Sequence, residues 1–248
     1  MPEGSVGWAG ELGYKHILDA ALDADNQRQW RAGTKPLPEP EPEVTIDAPL
    51  MARMFSSLVT GEQVHDEAKK LGVTASSLWE LDIGWSAEHR AFSFPMRDEF
   101  GTVVGIRLRR TEGFKWAIRG SRNALFVPSG SYFPDRTLCI TEGPTDTAAA
   151  LTLGLQVIGR PFCRGGTKML VEMVRQLRAP VAIISDADGP GVAGAEALAD
   201  ELCVMTDVRV IRPLRGKDLR AWVVAGVNGE TVKQVIENAT PWRQKEAA

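Results

Sequence analysis

The second half of the chain alternates short, β-branched apolar runs with longer stretches of helical periodicity. The strand-like runs occupy residues 137–141, 156–159, 181–185 and 208–212. Helical spacing of apolar residues fills the intervals between them, over residues 145–153, 167–177 and 190–203. Strands that alternate with helices form a mostly parallel sheet with helices on its faces. The pattern therefore predicts an α/β fold, and ligands in such folds bind beyond the carboxyl ends of the strands.

Alternating apolar and basic positions precede this region. They predict strands over residues 92–96, 103–109 and 114–119, joined by tight turns. Successive side chains of a strand point to opposite faces, so one face of this sheet should be apolar and the other cationic. The apolar positions are Ile106, Leu108, Trp116 and Ile118. The positions predicted to face outward are Arg107, Arg109, Lys115 and Arg119.

Charge is distributed unevenly along the chain. The whole protein has 29 basic and 32 acidic residues, a net charge of −3, which excludes a globally basic nucleic-acid coat. Residues 103–122 nevertheless carry +5, because their six basic residues meet a single acidic residue, Glu112. A merely solvated sheet surface remains the alternative, but it would normally mix both signs. We therefore interpret this segment as a phosphate-binding surface that includes Arg122.

The N-terminal part is helical by its apolar spacing. Residues 5–32 predict an amphipathic helix, which could dock a partner or pack on the body, and the proline-rich residues 34–43 predict an extended linker. Helices follow over residues 51–58 and 64–71, and Thr74 is placed to cap another one. The last two could form a DNA-reading helix-turn-helix, but the second lacks basic residues, which favours packing. The expected segments are 1–46 (helix and linker), 47–134 (small basic α+β part), 135–240 (α/β domain) and 241–248 (tail).

Composition narrows the cellular setting. Three cysteines without short spacing exclude a disulfide framework and a CxxC zinc ribbon, so we expect a reducing compartment and no zinc. No secretion signal and no run of about 20 apolar residues occurs, so we expect a cytoplasmic protein without a membrane partner.

Acidic residues follow two of the predicted parallel strands. Glu142 ends the first, Asp146 lies in the next helix, and Asp186 and Asp188 follow the third strand. Like charges 4 Å apart repel by about 4 kcal/mol at an effective dielectric constant of 20. Neither motif contains an adjacent basic residue, so a divalent cation is the expected counter-charge. Oxygen ligands indicate Mg²⁺ or Mn²⁺. Helix capping by these acids is the alternative interpretation.

Other motifs give weaker signals. Residues 189–194 spell G-x-G-x-x-G, but the acidic pair before them would repel a pyrophosphate, and no acid ends the next strand to bind a ribose. Residues 165–168 lack the spacing of a Walker A motif, and the three histidines are scattered.

The acidic motifs resemble a known family. Glu142-Gly143-x-x-Asp146 followed by Asp186-x-Asp188-x-x-Gly191 resembles the TOPRIM signature, and residues 94–126 resemble the segment before TOPRIM in DnaG-type and phage primases. The likeness covers about residues 64–239. It implies a Rossmann-like TOPRIM domain preceded by a small basic α+β subdomain. It also implies the site roles: Glu142 as catalytic acid/base, Asp186 and Asp188 as metal ligands, Asp146 and Asp218 as supporting acids, and Arg107, Arg109, Lys115, Arg119 and Arg122 as phosphate-binding residues.

The function that this resemblance implies is primer synthesis. We expect metal-dependent nucleotidyl transfer from NTPs on single-stranded DNA, with two Mg²⁺ or Mn²⁺ ions. The chain lacks the cysteine pairs of a primase zinc ribbon and any helicase domain. We therefore expect either a partner, such as a helicase or a separate zinc-ribbon protein, or a reduced primase of a phage or mobile element. A metal-dependent nuclease and a non-catalytic module that binds single-stranded DNA remain open as alternatives.

Overall fold

A computed structural model describes residues 44–244. The predicted N-terminal helix, the proline-rich residues 34–43 and the last four residues lie outside this range. In the described part of the chain, no helix is long and apolar enough to cross a membrane.

Three helices open the described structure: α1 (Ala48–Leu58), α2 (Gly61–Leu71) and α3 (Ala75–Glu80). Thr60 and Gln63 form a reciprocal capping box at the start of α2, and Gly72 ends that helix with a φ of +72°. Leu78 of α3 is fully buried in the core that α2 also lines. Packing, rather than an exposed DNA-reading surface, thus explains the apolar spacing of these two helices.

An antiparallel sheet follows, with strand order β1-β2-β3-β4. Its strands are β1 (Gly84–Ser86), β2 (Ala91–Arg97), β3 (Val103–Arg109) and β4 (Lys115–Ala117). Ile106 and Leu108 are fully buried, as the alternation predicts. Two details differ from the prediction: β1 is an additional strand, and β4 is shorter than residues 114–119. In the register of β3 and β4, Arg109 lies opposite Lys115.

The second sheet is parallel throughout, with strand order β6-β5-β7-β8. Its strands are β5 (Leu138–Glu142), β6 (Gln156–Arg160), β7 (Val181–Ile184) and β8 (Val208–Ile211). The helices after these strands are α4 (Gly143–Thr152), α5 (Thr167–Leu177), α6 (Gly189–Leu202), α7 (Leu219–Val224) and α8 (Gly229–Asn238). The expected α/β architecture is confirmed.

Both faces of the parallel sheet are buried, as its continuous apolar strands require. On one face Ile140 and Ile183 belong to a core lined by α5 and α6. On the other face Cys139 and Ala182 belong to a core lined by α4, α7 and α8. Because β5 lies between β6 and β7, its last residue is flanked by the carboxyl ends of both neighbours.

A short extended segment joins the two sheets. Leu125 exchanges two backbone hydrogen bonds with Arg97 of β2, of 2.7 and 2.9 Å. The next residue, Phe126, exchanges two of 2.9 Å with Gly159 of β6. Both residues of this segment are buried. The backbone therefore fixes the antiparallel sheet next to the carboxyl end of the parallel sheet.

Candidate catalytic site

The turn from β5 into α4 places two of the predicted acids. Glu142 ends the strand, and Gly143 begins the helix with a φ of +75°, which an L side chain rarely adopts. This sharp turn puts Asp146 in the first turn of α4, where it is only 7% exposed. The Asp146 carboxylate accepts a 2.9 Å hydrogen bond from the backbone N–H of Arg220.

Two further acids cap helices. Asp188 accepts a 2.8 Å bond from the Gly191 N–H at the start of α6. Asp218 accepts a 2.7 Å bond from the Ala221 N–H at the start of α7. The capping interpretation therefore describes Asp188 correctly, but it does not conflict with metal binding. Each cap uses Oδ1 and leaves Oδ2 of the same carboxylate for another partner.

Burial and mutual repulsion act on the acids at this edge. Burial, and after it the charge of Asp218, raise the pKa of Asp146 to about 7. The hydrogen bond from the backbone N–H of Arg220 lowers this pKa but does not cancel the rise. Burial, then the charges of Glu142, Asp218 and Asp188, raises the pKa of Asp186 to about 6. Within residues 44–244 the Asp186 carboxylate has no hydrogen-bond donor. The structure thus brings the five predicted acids into one electrostatic cluster.

Cations from other elements also face this cluster. Burial raises the pKa of Glu142, whereas Lys115, Arg160 and a backbone N–H from Cys163 oppose that rise. Lys115 likewise opposes the raised pKa of Asp186. Lys115 and Arg160 therefore offset part of the repulsion for which the two motifs alone offered no counter-charge. The compensating cations are distant in sequence, so the composition of the two motifs could not show them.

Arg160 was missed by the motif analysis. It ends β6, where it is the register partner of Glu142, and it is 4% exposed. Its guanidinium donates to the carbonyl oxygens of Gly165 and Gly194 at 3.0 and 3.1 Å, and to Thr167 Oγ1 at 3.3 Å. Burial lowers its pKa, and Glu142 raises it. The signal was present: residues 156–159 predict a strand, and the next residue is an arginine at the edge that carries the acids.

The five predicted phosphate-binding residues have different environments. Lys115 and Arg119 are exposed, and the side chain of Arg122 is 72% exposed, 4.0 Å from Asp98. Arg107 is half-buried and donates to Asn123 Oδ1 at 3.3 Å. Arg107, Lys115 and Arg119 therefore lie at the surface or close to it, as the alternation predicts, and Arg122, beyond the predicted strands, is exposed as well.

Arg109 differs from the prediction of an outward-facing side chain. Its side chain is 12% exposed and forms an ion pair with Glu67 of α2, which is 1% exposed. Burial lowers the Arg109 pKa, and Glu67 raises it. Helix α2 shares a core with Phe92, the register partner of Arg109 in β2, and this brings Glu67 to Arg109. Strand alternation alone could not reveal this contact. Arg109 therefore holds α2 to the antiparallel sheet.

The glycines of residues 189–194 have a packing explanation. A Cβ on Gly194 would lie 2.3 Å from the carbonyl oxygen of Cys163, and a Cβ on Gly191 would lie 2.8 Å from Cβ of Asp186. Close approach of α6 to neighbouring backbone accounts for both positions. A dinucleotide is not needed to explain this motif.

The donor set fits a hard divalent cation. Among the described residues, no group of three or more His, Cys, Asp or Glu side chains is arranged so that it could hold a metal ion by itself. Mg²⁺ does not require such a group, because it typically binds one or two carboxylates and completes its shell with water and substrate phosphate. Asp186 lacks a donor, and Asp188 and Asp218 each keep one oxygen available. These are carboxylates that such an ion could bind.

No protein-family model and no curated protein matches the sequence. Solved structures do match the fold. The fold is that of TOPRIM primase catalytic cores. The zinc-binding and RNA polymerase domains of the Aquifex aeolicus primase align over 89% of this chain and 68% of theirs, with a TM-score of 0.63 and 15% identity. A DnaG primase catalytic domain bound to single-stranded DNA aligns over 78% of each chain, with a TM-score of 0.59 and 15% identity.

A phage structure is also similar. It is a bacteriophage T7 complex in which primase domains of two gp4 subunits bind an RNA/DNA hybrid and dTTP. The alignment covers 70% of this chain and 91% of that one, with a TM-score of 0.57 and 19% identity. At these identities the comparisons show a shared fold, and the predicted fold class is confirmed.

Proposed function

We propose that this protein is a DNA primase core, which synthesises short RNA primers on single-stranded DNA by metal-dependent nucleotidyl transfer. One observation carries the proposal: the positive charge of Lys115, in the basic sheet, opposes the rise that burial causes in the pKa of both Glu142 and Asp186 at the carboxyl end of the parallel sheet. A cationic surface for nucleic acid and nucleotide thus meets a cluster of oxygen ligands at one place. This arrangement suits phosphoryl-transfer chemistry, in which positioning and charge stabilisation dominate.

The carboxylates have distinct roles in this proposal. Asp186, Asp188 and Glu142 would hold two Mg²⁺ or Mn²⁺ ions, with Asp146 and Asp218 in support. When bound, such ions would lower the pKa of the attacking 3′-hydroxyl and neutralise the pyrophosphate that leaves. Glu142 is the acid/base candidate, because burial raises its pKa and makes it a better proton acceptor.

The cations position the substrates. Lys115 would hold a phosphate of the incoming NTP next to the acids, while Arg107, Arg119 and Arg122 would bind the template backbone. Phosphate contacts of this kind fix the register of a strand, and base pairing then supplies the sequence information. Arg109 has no direct role here, since its charge is already paired with Glu67.

The partners are proposed on similar grounds. Related folds were solved with single-stranded DNA and with an RNA/DNA hybrid and dTTP, which supports a DNA template and nucleotides for this chain. A helicase or a separate zinc-ribbon protein would supply start-site selection, as expected for a reduced primase of a phage or mobile element.

The test is primer synthesis on single-stranded DNA with labelled NTPs and Mg²⁺ or Mn²⁺. Wild type should make short oligoribonucleotides, and Asp186→Asn should abolish synthesis. Lys115→Met should raise the KM for NTPs by about 10- to 100-fold, the effect of losing one charged contact. Asp135→Asn is the matched control, because Asp135 is an exposed acid before β5, at the opposite end of that strand. Nicking of plasmid DNA without NTPs, in place of synthesis, would instead identify a nuclease.

A further inference from the structure

The hairpin of β3 and β4 exposes aromatic rings as well as charges. Phe114, directly before β4, is 65% exposed. Its ring centroid lies 5.3 Å from that of Trp116, which in turn lies 6.1 Å from that of His89. The Arg110 guanidinium lies over the Trp116 ring, 5.5 Å from its centroid. We name His89, Arg110, Phe114 and Trp116 the aromatic row.

Packing explains only part of this row. Trp116 is half-buried against the small core that contains Ile106 and Leu108. Phe114 belongs to none of the hydrophobic clusters of the described residues and leaves most of its ring in solvent. The Phe114 and Trp116 rings are tilted by 35° to one another. Neighbouring rings beside a guanidinium form a surface on which flat, electron-rich groups bind well.

The position of the row relates it to the candidate site. β4 is the last strand of its sheet, and side chains alternate along it, so Phe114 and Trp116 lie on the face opposite Lys115. Lys115 faces the acids, as described above. A strand of nucleic acid that crosses this edge can place a phosphate on Lys115 and an unpaired base on Phe114. The surrounding charge suits such a polyanion, because residues 103–122 carry six basic residues and one acid.

We propose that Phe114, supported by Trp116 and Arg110, is a stacking platform for an unpaired base of single-stranded DNA. The inference deepens the proposed function by assigning a binding site for the DNA strand outside the acidic cluster. Stacking is tolerant of sequence, because every base has a flat face. The platform would therefore hold the template without selecting its sequence.

The experiment measures whether Phe114 recognises bases rather than phosphates. Fluorescence anisotropy compares binding of labelled oligothymidine and of an abasic strand with the same length and charge. Wild type should bind the strand with bases about tenfold more tightly, a typical effect for one stacking ring. Phe114→Ala should lose this preference and bind the abasic strand as wild type does. Phe114→Tyr keeps the ring and should keep the preference.

Phe100→Ala is the matched control, because Phe100 is 79% exposed in the turn between β2 and β3 and lies outside the row. An unchanged base preference in Phe114→Ala, or the same loss in Phe100→Ala, would overturn the proposal. So would a raised KM for ATP with unaltered DNA binding, because the ring would then serve the free nucleotide. If Phe114→Ala unfolds, loss of the base preference in a folded Phe114→Leu supports the proposal, and its retention overturns it.

Failure of the proposed function has a different signature. If wild type synthesises primers but Phe114→Ala keeps the preference for strands with bases, the stacking platform is refuted and the proposed primase function stands. If the preference for strands with bases depends on Phe114 but wild type synthesises no primers, the proposed primase function is refuted and the stacking platform stands.

Discussion

Asp146→Asn should stabilise the protein above neutral pH and do so less as the pH falls. Asp146 is 7% exposed, and its charge is opposed by burial and by the neighbouring charges of Asp218 and Asp186. Asparagine has nearly the same shape and can still accept the bond from the Arg220 N–H. The substitution therefore removes the charge while it preserves the packing.

The magnitude follows from the pKa of Asp146, which rises from 3.8 to about 7 on folding. Below pH 3.8 both the folded and the unfolded chain keep the proton, so the charge has no effect. Between pH 3.8 and about 7 the unfolded chain releases the proton and the folded chain retains it, so wild-type stability falls as the pH rises. Over that interval the free energy of unfolding of wild type falls by about 4 kcal/mol, and Asp146→Asn should not show this fall.

The assay is urea unfolding of wild type and Asp146→Asn from pH 4 to pH 8, with EDTA to remove divalent cations. The free energy of unfolding of the variant, relative to wild type, should increase by about 4 kcal/mol between these limits. Asp135→Asn, at an exposed site, should show no such trend. A difference between Asp146→Asn and wild type that stays constant with pH would refute the reasoning, because Asp146 would then not retain its proton on folding.

Further predictions concern packing. Glu67→Gln should destabilise the fold by about 3–5 kcal/mol in thermal or urea unfolding, because it leaves the largely buried Arg109 charge without its ion-pair partner. Asp82→Asn, which breaks a more exposed ion pair with Arg97, should cost less than about 1 kcal/mol, and equal losses would contradict this account. Gly194→Ala should cost about 1–3 kcal/mol, because its Cβ would lie 2.3 Å from a backbone carbonyl oxygen. Gly189→Ala, with no atom within 4 Å of its Cβ, is the control and should leave stability nearly unchanged.

Local patterns predicted the fold well. The period-two alternation found β3 at Val103–Arg109, and the helical spacing found α5 at Thr167–Leu177. The parallel arrangement followed from the order of elements, and it placed Glu142 and Asp186 at one edge. Such features depend on residues close together in sequence and on the general rules by which strands and helices connect. One amino-acid sequence is therefore enough to infer them.

Contacts between distant segments could not be inferred in this way. The pairing of Arg109 with Glu67 requires the position of α2 beside β2 of the antiparallel sheet, and the influence of Lys115 on Glu142 requires the bridge between the two sheets. Exposure of Phe114 likewise depends on where the core of its sheet ends. Each of these features arises from tertiary packing, which the alternation of polar and apolar residues does not specify.

The most direct test of the central claim is a measurement of Mn²⁺ binding by electron paramagnetic resonance, with and without a non-hydrolysable ATP analogue. Wild type should bind Mn²⁺ beyond what the nucleotide alone binds, and Asp186→Asn should weaken this binding by at least about tenfold, while Asp135→Asn should not. Equal Mn²⁺ binding by wild type and Asp186→Asn, or no binding to wild type with nucleotide present, would contradict the claim that these carboxylates form a metal-dependent catalytic site.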